Sequence, residues 1–375
     1  MTARHPLPAW IDIGVIPIAN VLLALVVAGL IVLAVGINPF EAVSIMLYGA
    51  LGYPEAIGYT LYYATNFIFT GLAVAVAFHA GLFNIGGEGQ AYIGGLGVAL
   101  VILALDQFLP APILIPLGIL GAAAFGAAWA LVPGYLQAYR GSHIVITTIM
   151  FNFIAAALMV YLTVNVLIAP NTMSPETRAF AATSHLPLIH DMLGAVGIPM
   201  GRSPLNLSIV IGLLCCIGIW IFLWHTRWGF ALRAMGQNAN AAIYAGIPAK
   251  QMILLAMSLS GALAGMMAIN ELMGVQHRLI INFTAGYGFT GIAVALMGRS
   301  HPFGVALASL LFGLLQQGGA ELAFEFPTIT REMVVVIQGL VILFSGALAY
   351  MTRPWFEALF ALLQRSGWIQ AAEKA

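Results

Sequence analysis

Long apolar runs broken by short polar stretches fill the chain from residue 11 to residue 350. About 20 largely apolar residues carry a helix across a bilayer. On that measure the pattern predicts ten spans, near 11–35, 57–79, 86–105, 112–136, 143–168, 206–225, 251–273, 284–298, 302–318 and 332–350, and eight to eleven would fit the hydropathy. The third and eighth runs are rich in glycine, and the eighth is short. Only Arg299-Ser300-His301-Pro302 separates the eighth from the ninth, so one of the two fits a partial or broken span. The first run, Ile11 to Val35, is too long for a signal-peptide core and lacks a convincing cleavage site, which makes it a retained span.

Charge then orients the bundle. With the N-terminus on the cytoplasmic side, ten spans put Arg4, Arg140, Arg227, Arg233, Lys250, Arg299, Arg353, Arg365 and Lys374 inside, and only Arg178, Arg202, Arg278 and Arg331 outside. Removing one span would swap every later loop and scatter these residues. Two connections stand out. The outer loop 169–205 holds Pro170, Pro175, Pro187, Pro199 and Pro204 with Glu176, Arg178 and Asp191, and its prolines break any continuous helix. It reads as a solvated surface loop or as a face for a partner. The inner loop 226–250 is rich in alanine and reads as one or two short helices, with Gly236 stopping the first, Asn238 starting the second, and Gly246 and Pro248 ending it. It is either a docking element or a plain connection.

Charged residues are 7% of the chain, against about 25% in a soluble domain, and hydrophobic residues are 62%. The formal net charge of zero argues against a nucleic-acid partner. Cys215 and Cys216 are neighbours in an apolar run and point in different directions, so they form neither a disulfide nor a metal pair. There is no phosphate-binding loop of the Gly-x-x-x-x-Gly-Lys-Ser/Thr type, so ATP hydrolysis is not expected of this chain. The histidines show no metal spacing, and His79 reads as an interfacial structural residue.

The densest polar signal is Gly81-Leu82-Phe83-Asn84-Ile85-Gly86-Gly87-Glu88-Gly89-Gln90. A carboxylate beside hydrocarbon is expensive unless paired or wet, and glycine-rich irregular backbone at membrane depth is tolerated only against protein or a cavity. Glu88 therefore marks either a polar lining or the cap of a helix. Asn66 with Thr70 and Thr148 with Asn152 are each four apart, and so share a face. Such amides serve a solute pathway or act as interhelical glue. Phe83, Phe151 and Phe153 lie beside them, where rings could stack on a base or a sugar face. Glu271, near the outer end of the seventh span, reads as an interface residue rather than a proton carrier. A faint internal echo links the segment after Ala80-Gly81 with Ala285-Gly286-Tyr287-Gly288-Phe289-Thr290-Gly291. Paired interrupted segments point to a transport site in repeat-built transporters.

Three blocks carry a family resemblance: Gly71–Phe78 running into Gly81–Gln90; Ile146-Thr147-Thr148-Ile149-Met150-Phe151-Asn152; and Leu232–Asn238 through Ala245-Gly246-Ile247, followed by Gly291–Arg299. In this order they resemble permease subunits of bacterial ABC importers in the branched-chain amino acid and simple-sugar permease family, and the Gly-Glu-Gly-Gln form is similar to the nucleoside/simple-sugar branch. The resemblance covers about residues 60 to 350. It implies an all-α polytopic bundle of the type II importer kind in the inner membrane, with both termini cytoplasmic, and a single permease domain over 1–375 made of a membrane bundle at 11–350, a periplasmic loop at 169–205, a cytoplasmic coupling loop at 226–250 and a cytoplasmic tail at 351–375. It implies a cytoplasmic ABC ATPase that binds ATP and Mg, no cofactor in this chain, and a periplasmic or lipid-anchored binding protein. A second, related permease is implied as a heterodimer partner, with a homodimer as the alternative. On this resemblance Asn66, Phe83, Asn84, Glu88, Gln90, Thr148 and Asn152 line the substrate pathway. Arg233, Gly236, Gln237, Asn238, Ala242 and Gly246 belong to the coupling loop. No arginine cluster lines the spans, so a neutral nucleoside fits best, a ribose-like sugar nearly as well, and a zwitterionic amino acid less well. An ion-coupled secondary transporter using Glu88 is the reading of a different class.

Overall fold

The computed structural model describes residues 15–197, 201–326, 328–346, 354 and 356–358. The start of the first expected span, Arg4, Pro199, Arg353, Arg365, Lys374 and most of the tail 351–375 lie outside the described residues, and both termini with them. The described residues are helical, with isolated bridges Glu176–Ile280 and Leu188–Asn206 in place of strands. The helices are α1 (Ile16–Ala34), α2 (Pro39–Leu51), α3 (Pro54–His79), α4 (Gly87–Leu105), α5 (Ala111–Arg140), α6 (Ile144–Asn165), α7 (Ile189–Ala195), α8 (Ser208–His225), α9 (Arg227–Gln237), α10 (Ala239–Tyr244), α11 (Ala249–Ala268), α12 (Tyr287–Met297), α13 (Pro302–Glu325) and α14 (Arg331–Gly346). A π-helix, Ile269–Gln276, continues α11.

Among the described residues, seven helices are long and apolar enough to cross a membrane, or eight if the bent pair Val26–Ala34 and Pro39–Leu51 counts as one. The chain is thus a polytopic α-helical membrane protein. The eighth expected run is the partial one of the pair: α12 has 11 residues and reaches only about 16 Å at 1.5 Å per residue, half the hydrocarbon thickness. Helix α2 was not expected. Asn38 opens it by accepting the Phe40 N–H on Oδ1 at 3.0 Å, and Pro39 suits a first helical position, but Glu41 interrupts the apolar count.

The described residues fall into two compact units, 1–48 with 318–375 and 49–317. In the first, α1 packs on α14. The second holds everything the sequence marked as polar and buried. Helix α3 runs through its interior, with every residue from 64 to 77 buried. Beside it α4, α5 and α11 meet at glycines: Gly94 abuts Gly265, Gly126 abuts Gly261 and Gly265, and Gly97 abuts Gly121. Small residues at such crossings let backbones approach closely where lipid gives no hydrophobic drive. Helices α5, α6 and α8 bury only 33%, 28% and 28% of their most apolar stretch, so most of their side chains turn away from the rest of this unit.

The described residues of the 169–205 loop are pinned to the bundle. Arg178 donates to both carboxylate oxygens of Asp106, at 2.7 and 2.8 Å, and the Ala181 N–H donates to Oδ2 at 3.0 Å. Arg278 pairs with Glu176 at 2.7 Å, and the backbone bond from Leu186 N to Met273 O at 2.9 Å anchors the loop further along. The Arg178 guanidinium holds the Asp106 carboxyl below its ordinary range. Because the folded pKa is depressed, this contribution is full above the unfolded carboxylate pKa of about 4 and is lost as pH falls below it. Exchange-protection factors for residues 176–184 are therefore expected to be high at pH 7 and to drop below about pH 4. Asp106→Asn should lower them already at pH 7. Unchanged protection in that variant would remove the carboxylate from the account.

Candidate functional site

Two helix breaks build the site. The first follows α3. Gly81 adopts φ +71°, its N–H donates to Phe78 O at 2.9 Å, and the Leu82 N–H donates to Ala77 O at 3.0 Å. This is the left-handed stop for which glycine is favoured. Residues 82–85 then lie outside any helix and Gly86 turns into α4 with φ −77° and ψ 5°; burial alternates, with Leu82, Asn84 and Gly86 buried, Phe83 37% exposed and Ile85 half-buried. Helix α4 begins directly after. The second break lies between the π-helix and α12, where His277, Asn282, Ala285 and Gly286 all take positive φ.

Glu88 joins the two. Its Oε1 accepts from the Thr284 hydroxyl at 2.6 Å and the Gly286 N–H at 3.0 Å, and its Oε2 accepts from the Gly288 N–H at 2.8 Å. Gly286 precedes the first residue of α12 and Gly288 lies in its first turn, so one half's carboxylate satisfies the unpaired N–H groups and the positive dipole end of the other half's short helix. The contact is close: a Cβ on Gly87 would lie 3.3 Å from Gly288 O.

Behind this junction sits an amide cluster. Asn84 and Gln90 exchange hydrogen bonds, Asn84 Nδ2 to Gln90 Oε1 at 3.0 Å and Gln90 Nε2 to Asn84 Oδ1 at 3.1 Å. Asn84 also donates to Ser260 Oγ at 2.8 Å, and Ser260 donates to Ala73 O at 2.6 Å. From α6, Asn152 accepts the Gly89 N–H at 2.9 Å and donates to Ile85 O at 2.9 Å. Thr148 accepts the Ile85 N–H at 3.3 Å. The structure thus gathers Asn84, Glu88, Gln90, Thr148 and Asn152 around one break, with Phe83 on its open side against Phe78, ring centroids 5.2 Å apart.

Asn66 stands in a separate network. It donates to Glu271 Oε1 at 2.6 Å and accepts from Asn270 Nδ2 at 2.8 Å. Tyr62 donates to the same Glu271 oxygen at 2.6 Å, and Asn270 accepts from Asn206 and Ser208, each at 2.8 Å. The reading of Glu271 as an interface residue is corrected, since it is 3% exposed. The π-helix is the reason. It carries the span on to Gln276, making 28 residues, so Glu271 lies within the bundle instead of at its edge. Thr70 does not join Asn66 in facing a partner: its hydroxyl donates to Asn66 O at 3.1 Å on its own helix. Tyr62, Ser260, Asn270 and Thr284 escaped the sequence reading. The glycine echo was the one signal that pointed at the second break.

In the 226–250 loop, α9 and α10 appear where alanine-rich sequence suggested them. Thr226 accepts the Gly229 N–H at 3.1 Å and Asn238 the Ala241 N–H at 3.0 Å, each as an N-cap. Arg233 Nε donates to Leu223 O at 3.0 Å, and its guanidinium lies 5.5 Å from the Trp224 ring. Gly236 abuts His79 and Gly81. Ala242 is buried, Gln237 and Asn238 are exposed, and Gly246 takes φ +84°. Trp228, Phe230, Ile243 and Tyr244 present apolar surface outward.

Residues 56–346 match the family described as branched-chain amino acid transport system / permease component. The chain belongs to this family. Its relatives include the glucose ABC transporter permease protein TsgB13 of Haloferax volcanii, 34% identical over 91% of this chain and 89% of the relative. The guanosine ABC transporter permease protein NupP of Bacillus subtilis is 34% identical over 88% and 92%, and the nucleoside ABC transporter permease protein NupB of Lactococcus lactis 31% over 88% and 89%. A second guanosine permease of Bacillus subtilis, NupQ, is 26% identical over 68% of this chain. No solved structure matches. The permease resemblance read from the sequence therefore holds, and with it the multi-pass membrane location.

Proposed function

We propose that this chain is one permease subunit of an ATP-driven importer of a neutral nucleoside, and that solute passes over the open face of the two joined breaks. The observation that carries this is the Glu88 junction, which holds irregular backbone at membrane depth with Phe83 and Phe289 exposed at 37% and 47% and Asn282 exposed in the second break. Lipid satisfies no bare backbone, so such a face belongs against protein or a water-filled path. Its rings suit a base or a sugar face, and Asn282 offers a neutral amide held from behind by the Tyr92 hydroxyl at 2.6 Å. No lysine or arginine takes part in the junction or the amide cluster, which favours an uncharged solute. Asn84, Gln90, Thr148 and Asn152 frame the break, Asn66 braces α3 from its own network, and Phe83 and Glu88 sit at the path. A simple sugar is the second reading, supported by the similarity to the glucose permease.

The remaining parts follow from this reading. Nine of thirteen basic side chains fall inside when ten membrane segments, α12 included as a partial one, start and end in the cytoplasm. The 169–205 loop is then periplasmic and faces a solute-binding protein. The 226–250 loop is cytoplasmic and couples to an ABC ATPase, which binds ATP and Mg; this chain hydrolyses nothing. Two Bacillus subtilis relatives named for the same solute, one much more similar to this chain than the other, support pairing with a second, different permease. Glu88 serves poorly as an exchangeable ion site, because three protein donors already occupy it. Gentle-detergent purification of the tagged chain with mass spectrometry is expected to retain a cytoplasmic ATPase and a related permease. A preparation of this chain alone, repeated after crosslinking, would overturn the reading.

A further inference from the structure

Three contacts fix α9 beneath the bundle. At its start, a Cβ on Gly229 would strike Phe222 O and Leu223 at the end of α8. In its middle, Arg233 holds Leu223 O and covers Trp224. At its end, a Cβ on Gly236 would strike His79 O and lie 2.8 Å from Gly81 N, while one on Gly81 would lie 3.2 Å from Gly236 Cα. This last contact is backbone on backbone, with no side chain to yield. It lands on the residue where α3 stops.

The mechanical settings of the two ends of α9 differ. Helix α8 is continuous through its 18 residues, so a push at Gly229 meets a stiff rod. A push at Gly236 meets Gly81, followed by the non-helical stretch 82–86 and then Glu88 of α4, which is bonded to the N-terminus of α12. The same helix end reaches the far side of α12 too, because His79 Nε2 lies 3.0 Å from Ser300 O in the α12–α13 link. His79 and Gly81 thus touch α9 while bonding, directly or through one short segment, to both ends of α12.

We propose that Gly236 and Gly81 are positioning residues that deliver a displacement of α9 to the 82–88 segment and, through Glu88, to α12. The inference rests on the importer reading, in which the ATPase moves α9. Gly236 is helical, where alanine has the higher intrinsic propensity, so a defect in Gly236→Ala arises from the contact and not from a weakened α9. Gly81→Asn presses on the same contact from the other side while keeping a residue that tolerates the left-handed conformation.

The test uses the purified assembly with its ATPase. Phe83→Cys is introduced as a probe with Cys215→Ala and Cys216→Ala, and its labelling by a charged maleimide is timed with and without ATP and vanadate. With native Gly236 and Gly81 the rate is expected to change about tenfold, within the usual span of coupling between sites. In Gly236→Ala, and separately in Gly81→Asn, the ATP-dependent change should collapse to less than about twofold, with ATPase retention and basal hydrolysis preserved. Phe230→Ala, on the outward face of α9, should instead weaken ATPase retention. An ATP response that survives in both glycine variants overturns the proposal. Loss of ATPase retention in them also overturns it, since the contact would then serve docking. Failure of the native chain to retain any ATPase would be the distinct failure of the importer reading.

Discussion

Glu88→Ala is expected to abolish measurable uptake and to lower the melting temperature of the purified chain. Truncation leaves three donors, Thr284 Oγ1 and the N–H groups of Gly286 and Gly288, without their acceptor. Hydrogen bonds to charged groups contribute about 1.5–3 kcal/mol each and do not add simply. Each buried donor left without an acceptor costs about 1–3 kcal/mol, so loss of the whole set is expected to cost at least about 3 kcal/mol. The damage falls where the two breaks meet, so α12 would lose its cap and its register against α4. Glu88→Gln separates the contributions. Its single carbonyl oxygen still serves Thr284 and Gly286, but its amide nitrogen then faces the Gly288 N–H, donor against donor. That variant should fold, melt a few degrees lower, and transport about tenfold more slowly, a loss of about 1.4 kcal/mol in the rate-limiting step. Normal uptake by both variants would show that the junction is not needed for transport.

Gly265→Val is the substitution expected to harm folding most. A Cβ there would strike Ala122 O and come within 3.1 Å of Gly126 Cα. Valine adds two further carbons at a point where α11 and α5 touch through backbone alone. Overpacking usually costs about 1–3 kcal/mol when side chains can shift. Here only whole helices can shift, so the expected loss is at least the upper end of that range. Gly218→Val on α8, where a Cβ meets nothing within 4 Å, is the control and should be neutral. The readout is the monodisperse fraction after detergent extraction: low for Gly265→Val and unchanged for Gly218→Val. A normal profile for Gly265→Val would mean that the glycine crossings are slack.

Much of this architecture was legible in the chain. The apolar runs placed α3 to α6, α8 and α11 to within a few residues, because lipid imposes length and composition together; they gave the start of α13 but ended it seven residues short of Glu325. The two short inner helices were legible because Asn238 and Gly246 carry strong local cap and stop preferences. Pairing was harder to read. Nothing in a single sequence says that Glu88 bonds to Thr284, Gly286 and Gly288, nearly two hundred residues away, and only the repeated glycine interruption hinted at it. The amides were recognised as buried polar groups, but which of them bond each other is a tertiary fact. Glu271 was misplaced because hydropathy ends the span near Met273, whereas the π-helix prolongs it. The short α12 looked like a span because composition does not report where a helix begins in the membrane.

Energised uptake tests the central claim most directly. Cells expressing the full assembly are given labelled guanosine, with glucose in parallel, under ATP depletion and separately under collapse of the ion gradients. The account predicts uptake of the neutral nucleoside that stops when ATP is exhausted, persists without the gradients, and is lost with Glu88→Ala. Uptake that survives ATP depletion and disappears with the gradients would contradict it.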